Sequence, residues 1–583
     1  MQRKLFYLII ILLSAIAYGN TLKNGFVLDD DVVFLQNEYV QEGVTGIPDI
    51  LSHGFLFGFN QRNDQSYRPL VLIDFAVQKS LFGNNAAALH FFNILYFSLL
   101  CCLLFYFLKQ LFHERSLWIA FFITLLFVLH PIHTEVVANI KGRDELLHAI
   151  FLIGSFIAAF NSFDRKSKKW LMVSLVTFFM ALLCKEMAVT YIVLLPLCTW
   201  FFRSIKLKQL MLLVLPYGIV LIGYFLLRNA ILDTITFEDQ MTVMNNTLAA
   251  ANNLTERIAT NLIIFANYIK LLFFPHPLAW DYSYPHFQIV GFNNLQAILI
   301  GLVTVVLGVL SLIGIKSKNK FAFAFLFFVV SFSIVSNFFI LIGSTLGERF
   351  LFFPSIAFCI FIVLAIQWAV EKLKVIKQVR AISISIILIG LGYAAKTIDR
   401  NQEWESNFSL FKSGVEAIPN NSRAVSALAS AYRNRAEAAK NPKYVMQNYE
   451  QAKAGYQKSV ELYPKNADSW YNLGVVLMNM DDKDQAKQAF RKTIELDQFH
   501  ISARNNLGVI YFQNNNFQAA AEQFRNCLRI NQHFQSAYAN LGAVYHNLGE
   551  YRLARTNYTK ALELNPNDQT SLNNLQRLPM ENE

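Results

Sequence analysis

The chain has 583 residues, of which 54% are hydrophobic, and it contains 53 phenylalanines. This composition is too apolar for a soluble protein of that length and indicates many membrane spans. The net charge of +11 does not call for nucleic acid as a partner, because much of the lysine and arginine lies in short clusters between apolar segments. The six cysteines show neither a disulfide framework nor metal-ligand spacing.

About eleven apolar runs have membrane-spanning length, which predicts an all-α protein embedded in a lipid bilayer. The first run is similar to a cleavable signal peptide. We expect a retained signal-anchor helix instead, since many spans follow it. The runs are roughly 4–19, 88–111, 117–134, 146–163, 170–184, 187–202, 209–227, 295–315, 321–343, 350–370 and 381–397.

Three consecutive carboxylates, Asp29, Asp30 and Asp31, follow the first span in the loop 20–87. Mutual repulsion and partial desolvation at a membrane surface predict a raised pKa for at least one of them. A solvated loop that merely lies near lipid is the simpler interpretation. On these residues alone both interpretations stay open.

The basic clusters between spans all fall on one side of the membrane only if a twelfth apolar run, 258–275, does not cross. Asn261, Asn267 and Lys270 interrupt this run, so we predict an interfacial or re-entrant helix. The N-terminus is then cytoplasmic, and the loop 20–87 and the chain after about 398 lie on the opposite face. If 258–275 does cross, the C-terminal part is cytoplasmic and Arg349 leaves the outer face.

Several further polar clusters fall on the predicted non-cytoplasmic face. Each alone has a simpler explanation, such as a helix cap, a packing histidine or an ion pair. Their accumulation on one face favours a functional site, because ionisable groups at membrane depth are costly. A metal site is not expected at the His-x-x-His pair, which has no third ligand. The clusters contain Tyr67 and Arg68, His90, His130 with His133 and Glu135, Lys141 with Arg143 and Glu145, Lys185 with Glu186, and Arg349.

The C-terminal part repeats itself with a period of 34 residues, most clearly at the Leu-Gly pairs that start at Leu473, Leu507 and Leu541. Small residues at fixed positions, where two helices cross closely, are typical of a tetratricopeptide (TPR) α-solenoid. We predict three full repeats and one degenerate repeat. The predicted domains are 1–397 for the membrane part, 398–422 for a linker and 423–583 for the repeats.

A polar set of this kind at a membrane boundary would support sugar transfer from a lipid-phosphate donor. A carboxylate would remove the proton of an acceptor hydroxyl, which attacks the sugar carbon that carries the phosphate. Guanidinium and ammonium groups would stabilise the departing phosphate.

The ordered motifs NGFVLDDD, SYRPL, VLHPIHTEVVANIKGRDELL, CKE, WDYS and GERFLFFPS, followed by tetratricopeptides, resemble the transmembrane-and-tetratricopeptide (TMTC) family. That family belongs to the GT-C class of membrane glycosyltransferases. The resemblance covers nearly the whole chain. It implies a GT-C-type domain and inverting transfer of a sugar, mannose in this family, from a polyprenyl-phosphate donor to Ser or Thr hydroxyls of proteins.

The resemblance also implies residue roles. Asp29 is the expected base with Asp30 in support, and Glu135 is the expected second acidic site. The candidates for the donor phosphate are Arg68, Lys141, Arg143, Lys185 and Arg349. The other expected site-lining residues are Tyr67, His90, His130, His133, Glu145 and Glu186. No cofactor is expected, although the paired acids leave a divalent cation open.

The short repeat array and the Phe-, Asn- and Ile-rich composition look more like a bacterial relative, in which an inner-membrane enzyme would use an undecaprenyl donor and the sugar need not be mannose. A eukaryotic relative would lie in the ER membrane. Two alternatives stay open. One is transfer to an envelope glycolipid or polysaccharide, and the other is a non-enzymatic scaffold whose repeats recruit a partner protein.

Overall fold

The computed structural model describes residues 2–62, 66–112, 117–232 and 241–579, and no β-strand occurs in these ranges. The chain divides into two compact units, Met1–Pro419 and Asn420–Glu583. The predicted all-α class, with a membrane part followed by helical repeats, is therefore confirmed.

The helices of the first unit alternate between long apolar segments and short helices in the connecting loops. They are α1 (Gln2–Tyr18), α2 (Glu38–Gln41), α3 (Ile47–Ser52), α4 (Phe57–Asn60), α5 (Pro69–Phe82), α6 (Ala86–Phe112), α7 (Leu117–Leu129), α8 (Thr134–Val137), α9 (Arg143–Arg165), α10 (Lys168–Cys184), α11 (Tyr191–Phe202), α12 (Leu207–Leu232), α13 (Leu254–Phe273), α14 (Leu295–Ser317), α15 (Lys320–Phe332), α16 (Ser355–Lys372), α17 (Gln378–Glu403) and α18 (Asn407–Ala417).

Within the described residues, seven helices are long and apolar enough to cross a membrane, or eight if α7 and the segment 131–137, bent by 54°, form one span. The chain is thus a multi-pass membrane protein, with seven or eight such helices in the described residues against about eleven apolar runs in the sequence. The predicted runs 170–184, 187–202 and 321–343 lie on shorter helices, among them the 17-residue α10. Apolar runs continue into turns and loops there, which hydropathy alone does not separate from helix.

Helix α13 contains most of the run 258–275 and is not among the candidate spans. Just before it, the Thr247 N–H donates to Thr345 Oγ1 at 2.8 Å. At its end, the Leu272 carbonyl lies 2.9 Å from His130 Nε2. Thr345 and His130 both belong to the loops that carry the polar clusters. These contacts favour the interfacial position predicted for this helix.

The expected linker 398–422 is replaced by ordered structure. Helix α17 continues to Glu403 and α18 follows at Asn407. Trp404 and Leu410 are fully buried and pack with Val27 and Ala138. A polar composition suggested a linker, but the few apolar residues of this segment are enough to attach it to the membrane unit.

The second unit consists of antiparallel helix pairs. In each full repeat a glycine faces an aromatic ring of the paired helix, and a Cβ at Gly474, Gly508 or Gly542 would lie only 2.6 to 2.7 Å from that ring. This close approach explains the periodic glycines. The pairs are α19 (Ser422–Ala438) with α20 (Pro442–Leu462), α21 (Ala467–Asn479) with α22 (Lys483–Leu496), α23 (Ile501–Gln513) with α24 (Phe517–Ile530), and α25 (Gln535–Asn547) with α26 (Tyr551–Leu564), followed by α27 (Gln569–Gln576).

Candidate active site

The predicted polar residues come from loops far apart in sequence, and the fold brings most of them together. The loop after α1, the start of α5, the α7–α9 connection, the α10–α11 connection and the segment before α16 meet at one end of the helices. Hydrogen bonds and ion pairs join all five. The clusters thus lie together at one end of the helices.

The neighbouring acids Asp29 and Asp30 have opposite environments. Asp30 is fully buried, and its two carboxylate oxygens accept the backbone N–H groups of Val27 at 3.0 Å and Lys141 at 2.8 Å. Burial raises the pKa of Asp30 to about 7, although these hydrogen bonds act in the opposite direction. The side chain of Asp29 is exposed. Asp30 therefore fixes the loop, and Asp29 is free to meet a substrate.

Asp144 is the centre of a closed ion cluster. It accepts Arg68 Nη1 at 2.8 Å and Lys185 Nζ at 3.3 Å, and Lys141 Nζ lies 3.5 Å away. Lys185 also donates to Glu145 at 2.6 Å. Through this buried carboxylate, Arg68 and Lys185 connect their loops to the start of α9.

Arg68 also binds Glu186, which completes this cluster at its edge. Arg68 Nε and Nη2 donate to one Glu186 oxygen at 3.1 and 2.9 Å. Burial alone lowers the pKa of Arg68, but Glu186 and Asp144 raise it above its ordinary value. The guanidinium is therefore charged but already occupied by carboxylates.

Glu135 and Arg349 form a second pair. The Arg349 backbone N–H and Nη1 donate to the two Glu135 oxygens at 2.8 and 2.5 Å. Burial lowers the pKa of Arg349, yet Glu135 and then Asp29 raise it above its usual value. The Arg349 side chain is still 31% exposed. Glu135 thus orients an arginine whose side chain stays partly exposed to solvent.

Lys141 connects the two groups. Among the described residues, its one ion pair is the long contact of 3.5 Å from Nζ to Asp144. Electrostatic interactions link it to Asp29 and Arg349 as well as to Lys185. Asp29, Lys141 and Arg349 together form what we call the open edge: one exposed carboxylate within electrostatic range of two incompletely paired cations.

Other predicted residues have internal partners. Arg143 is fully buried, donates to Asp74, Asn93 and the Leu89 carbonyl, and lies over the rings of Phe75 and Tyr96. Such a guanidinium holds α5, α6 and α9 together.

The three histidines and Tyr67 are also buried. His130 contacts the Leu272 carbonyl, His133 the Ser355 hydroxyl at 2.8 Å, and His90 the Gly25 carbonyl at 3.3 Å. Tyr67 donates to the Leu51 carbonyl at 2.8 Å. Their contacts fit packing and capping, the simpler explanation offered by the sequence.

Sequence reasoning missed two groups. Glu348, next to Arg349, accepts the Ala279 N–H at 2.7 Å and the Tyr282 hydroxyl at 2.8 Å, and faces the buried Arg400 at 3.5 Å. Burial raises the pKa of Glu348 to about 7, while Arg400 acts to lower it. Asn407, in the presumed linker, binds the acidic loop. An acid beside Arg349 was a usable signal, whereas nothing in the sequence around Asn407 pointed to it.

Both oxygens of Asp30 accept backbone N–H groups, so Asp29 is the acid of the pair whose side chain is open to solvent. Among the described residues, no group of three or more His, Cys, Asp or Glu side chains is arranged to hold a metal ion.

Comparison with curated proteins gives clear relatives. The chain is 31% identical over 428 residues to the protein O-mannosyl-transferase F38B6.6 of Caenorhabditis elegans, an alignment that covers 71% of this chain and 58% of that protein. It is 28% identical over 503 residues to human TMTC3, also named a protein O-mannosyl-transferase, covering 80% of this chain and 52% of that protein. The chain is a homologue of the TMTC proteins. It spans less than two thirds of the length of these relatives.

The repeats of this TMTC homologue have their own matches. Residues 402–564 match the family model of the cilia and flagella-associated protein 70 middle TPR-like domain. Among solved structures, MamA is 24% identical, with 27% of this chain and 86% of MamA covered and a TM-score of 0.25. YrrB, described as a TPR protein with an unusual peptide-binding site, is 20% identical, with 28% and 80% covered and a TM-score of 0.25.

Proposed function

We propose that this chain is a membrane glycosyltransferase that transfers a sugar, with mannose as the first candidate, from a polyprenyl-phosphate donor to Ser or Thr hydroxyls of proteins. The observation that carries the proposal is the open edge: an exposed Asp29 within electrostatic range of Lys141, whose contact to Asp144 is long, and of Arg349, whose side chain is partly exposed. The names of the curated relatives support the class of reaction.

In the proposed reaction Asp29 accepts the proton of the acceptor hydroxyl as its oxygen forms a bond to the anomeric carbon. The bond from that carbon to the phosphate oxygen breaks, and the electron pair leaves with the lipid phosphate. Attack from the side opposite the phosphate inverts the anomeric centre. Asp30, whose oxygens are both bound to backbone N–H groups, holds the loop that presents Asp29.

We rank the five cations proposed for the phosphate by the carboxylates that already contact each of them. Arg143 is buried in the helix core, while Arg68 and Lys185 are bound by two carboxylates each. Lys141 and Arg349 keep donor capacity, so we assign the departing phosphate to them. Glu135 then serves to orient Arg349.

We further propose that this edge and the repeats face the non-cytoplasmic side, and that the repeats bind the protein acceptor or a partner that delivers it. A tethered acceptor would meet the site at a raised effective concentration.

The test is transfer of labelled mannose from polyprenyl-phosphate mannose to Ser/Thr peptides by the purified full chain in lipid nanodiscs. Asp29→Asn should reduce the rate by roughly 10²- to 10⁴-fold, the range for a general base. Asp31→Asn, two residues along and outside the open edge, should keep most of the activity and serves as the matched control.

Three other outcomes would change the proposal. Full activity of Asp29→Asn would remove Asp29 as the base. Transfer to a lipid-linked glycan instead of peptides would establish the alternative acceptor. Absence of transfer by the wild-type chain from both mannosyl and other polyprenyl-phosphate sugars would favour the scaffold.

A further inference from the structure

We propose that Asn407, at the start of α18, is a positioning residue that sets the orientation of Asp29. Its side-chain oxygen accepts the backbone N–H of Leu28 at 2.8 Å, and Leu28 immediately precedes Asp29. The inference concerns the role of Asp29 in transfer and so rests on the proposed function.

Leu28 has an uncommon backbone conformation, with φ of +50°. A residue with a branched side chain is strained in the left-handed region and stays there only when its surroundings hold it. The hydrogen bond from Asn407 is one such constraint. The other is packing of Leu28 against the cluster of Val27, Trp404 and Leu410.

The segment 401–407 makes hydrogen bonds to the residues that precede Asp29. The Gly25 N–H donates to the Glu405 carbonyl at 3.0 Å, and Asn24 Nδ2 donates to the Asn401 carbonyl at 3.1 Å. Asn401 Nδ2 in turn donates to the Ala17 carbonyl at the end of α1, at 2.7 Å. The end of α17 and the start of α18 thus form the outer support of the acidic loop.

The two supports of Asp29 are complementary. Asp30, which follows Asp29 in the chain, accepts the backbone N–H groups of Val27 and Lys141. Leu28, which precedes Asp29, donates its backbone N–H to Asn407. Between these anchors the Asp29 side chain has no constraint of its own among the hydrogen bonds of the described residues. Its position relative to Lys141 and Arg349 therefore depends on the backbone at Leu28.

The first measurement is hydrogen–deuterium exchange of peptides that cover residues 24–35, on the full chain in nanodiscs. Asn407→Ala should speed exchange in this segment by about tenfold, the equivalent of one lost hydrogen bond. Asn407→Asp keeps an acceptor oxygen and should retain protection. Ser409→Ala is the matched control, because it weakens the reciprocal cap with Ser406 at the same helix start without touching Leu28.

Unchanged exchange in Asn407→Ala, or equal loss of protection in Ser409→Ala, would overturn the proposal. This measurement needs no transferase activity, so it separates the two hypotheses.

In the transfer assay, Asn407→Ala should lower kcat about tenfold and leave the KM for the donor within about twofold, since a misdirected base does not alter phosphate binding. A matching rise in the donor KM would show a general disturbance of the site and contradict the inference. If the wild-type chain transfers no sugar while the exchange results hold, the proposed function fails and the support of the acidic loop by Asn407 stands.

Discussion

The closed cluster around Asp144 and the open edge of Asp29, Lys141 and Arg349 are built from the same residue types. They differ in saturation, by which we mean the extent to which each charged group already has partners of opposite charge. Asp144 is nearly inaccessible and is contacted by three cations. Asp29 is exposed and has no such partners within hydrogen-bond distance among the described residues. Lys141 belongs to both regions. Its Nζ makes one contact of 3.5 Å to Asp144 in the closed cluster, and its remaining donor capacity is available to the open edge.

The contrast separates charges that hold loops from charges that can meet a ligand. A buried carboxylate surrounded by cations has little capacity left for a substrate, and removing it leaves uncompensated charge. A partly paired cation at an exposed edge costs less to rearrange and can bind phosphate. Saturation thus ranks the candidates better than residue type or motif does.

Asp144→Asn should produce the largest change in stability. The substitution keeps the shape but removes the charge that Arg68, Lys141 and Lys185 share, so we expect a loss of about 3–5 kcal/mol, the range for breaking a buried ion pair. Thermal unfolding of the purified chain in detergent measures it. Glu186→Gln, at a carboxylate that is 30% exposed, should cost much less. Equal melting of the two variants would show that Asp144 does not hold the loops.

Much of this arrangement was accessible from sequence. Periodic Leu-Gly pairs predicted the repeats, and apolar runs with loop charges predicted which loops share a face. What could not be predicted from the sequence is how far each charged group is already paired with groups of opposite charge. Arg68, Lys141, Arg143 and Lys185 are all cations in polar motifs, and only the fold shows that Arg143 lies between aromatic rings while Lys141 stays incompletely paired.

The attachment of the segment 398–422, which was predicted to be a linker, was missed for a related reason. Composition records that a segment is polar on average, but attachment depends on a few positions. Trp404 is fully buried, and Asn407 makes one specific hydrogen bond to the Asp29 loop. Long-range contacts of this kind leave no local pattern.

Asp30 should give the next largest effect, through pH. Its pKa is about 7 in the folded chain against an ordinary 3.8. Between these values the folded state keeps a proton that the unfolded state has released, so the free energy of unfolding falls as pH rises, by at most about 1.4 kcal/mol per pH unit. The stabilisation is complete below the ordinary pKa and lost by about pH 7.

Asp30→Asn should therefore show a smaller decline of stability between about pH 4 and pH 7 than the wild type. Denaturant unfolding across this range is the measurement. Glu348, whose pKa is also raised to about 7, adds a slope of the same sign that remains in the variant. Parallel curves for Asp30→Asn and wild type would mean that the acid is ionised throughout.

Lys141→Met and Lys185→Met give the smallest but most selective test. Lys185 Nζ has contacts of 2.6 and 3.3 Å to Glu145 and Asp144, whereas Lys141 Nζ has one at 3.5 Å. Removal of Lys141 should leave the melting temperature nearly unchanged but raise the donor KM about tenfold, the value of one charge-assisted contact to phosphate. Removal of Lys185 should do the reverse. If both variants lose stability and donor affinity together, the closed cluster and the open edge act as one unit. The degree of pairing would then not distinguish the charged residues that hold the loops from those that bind the donor.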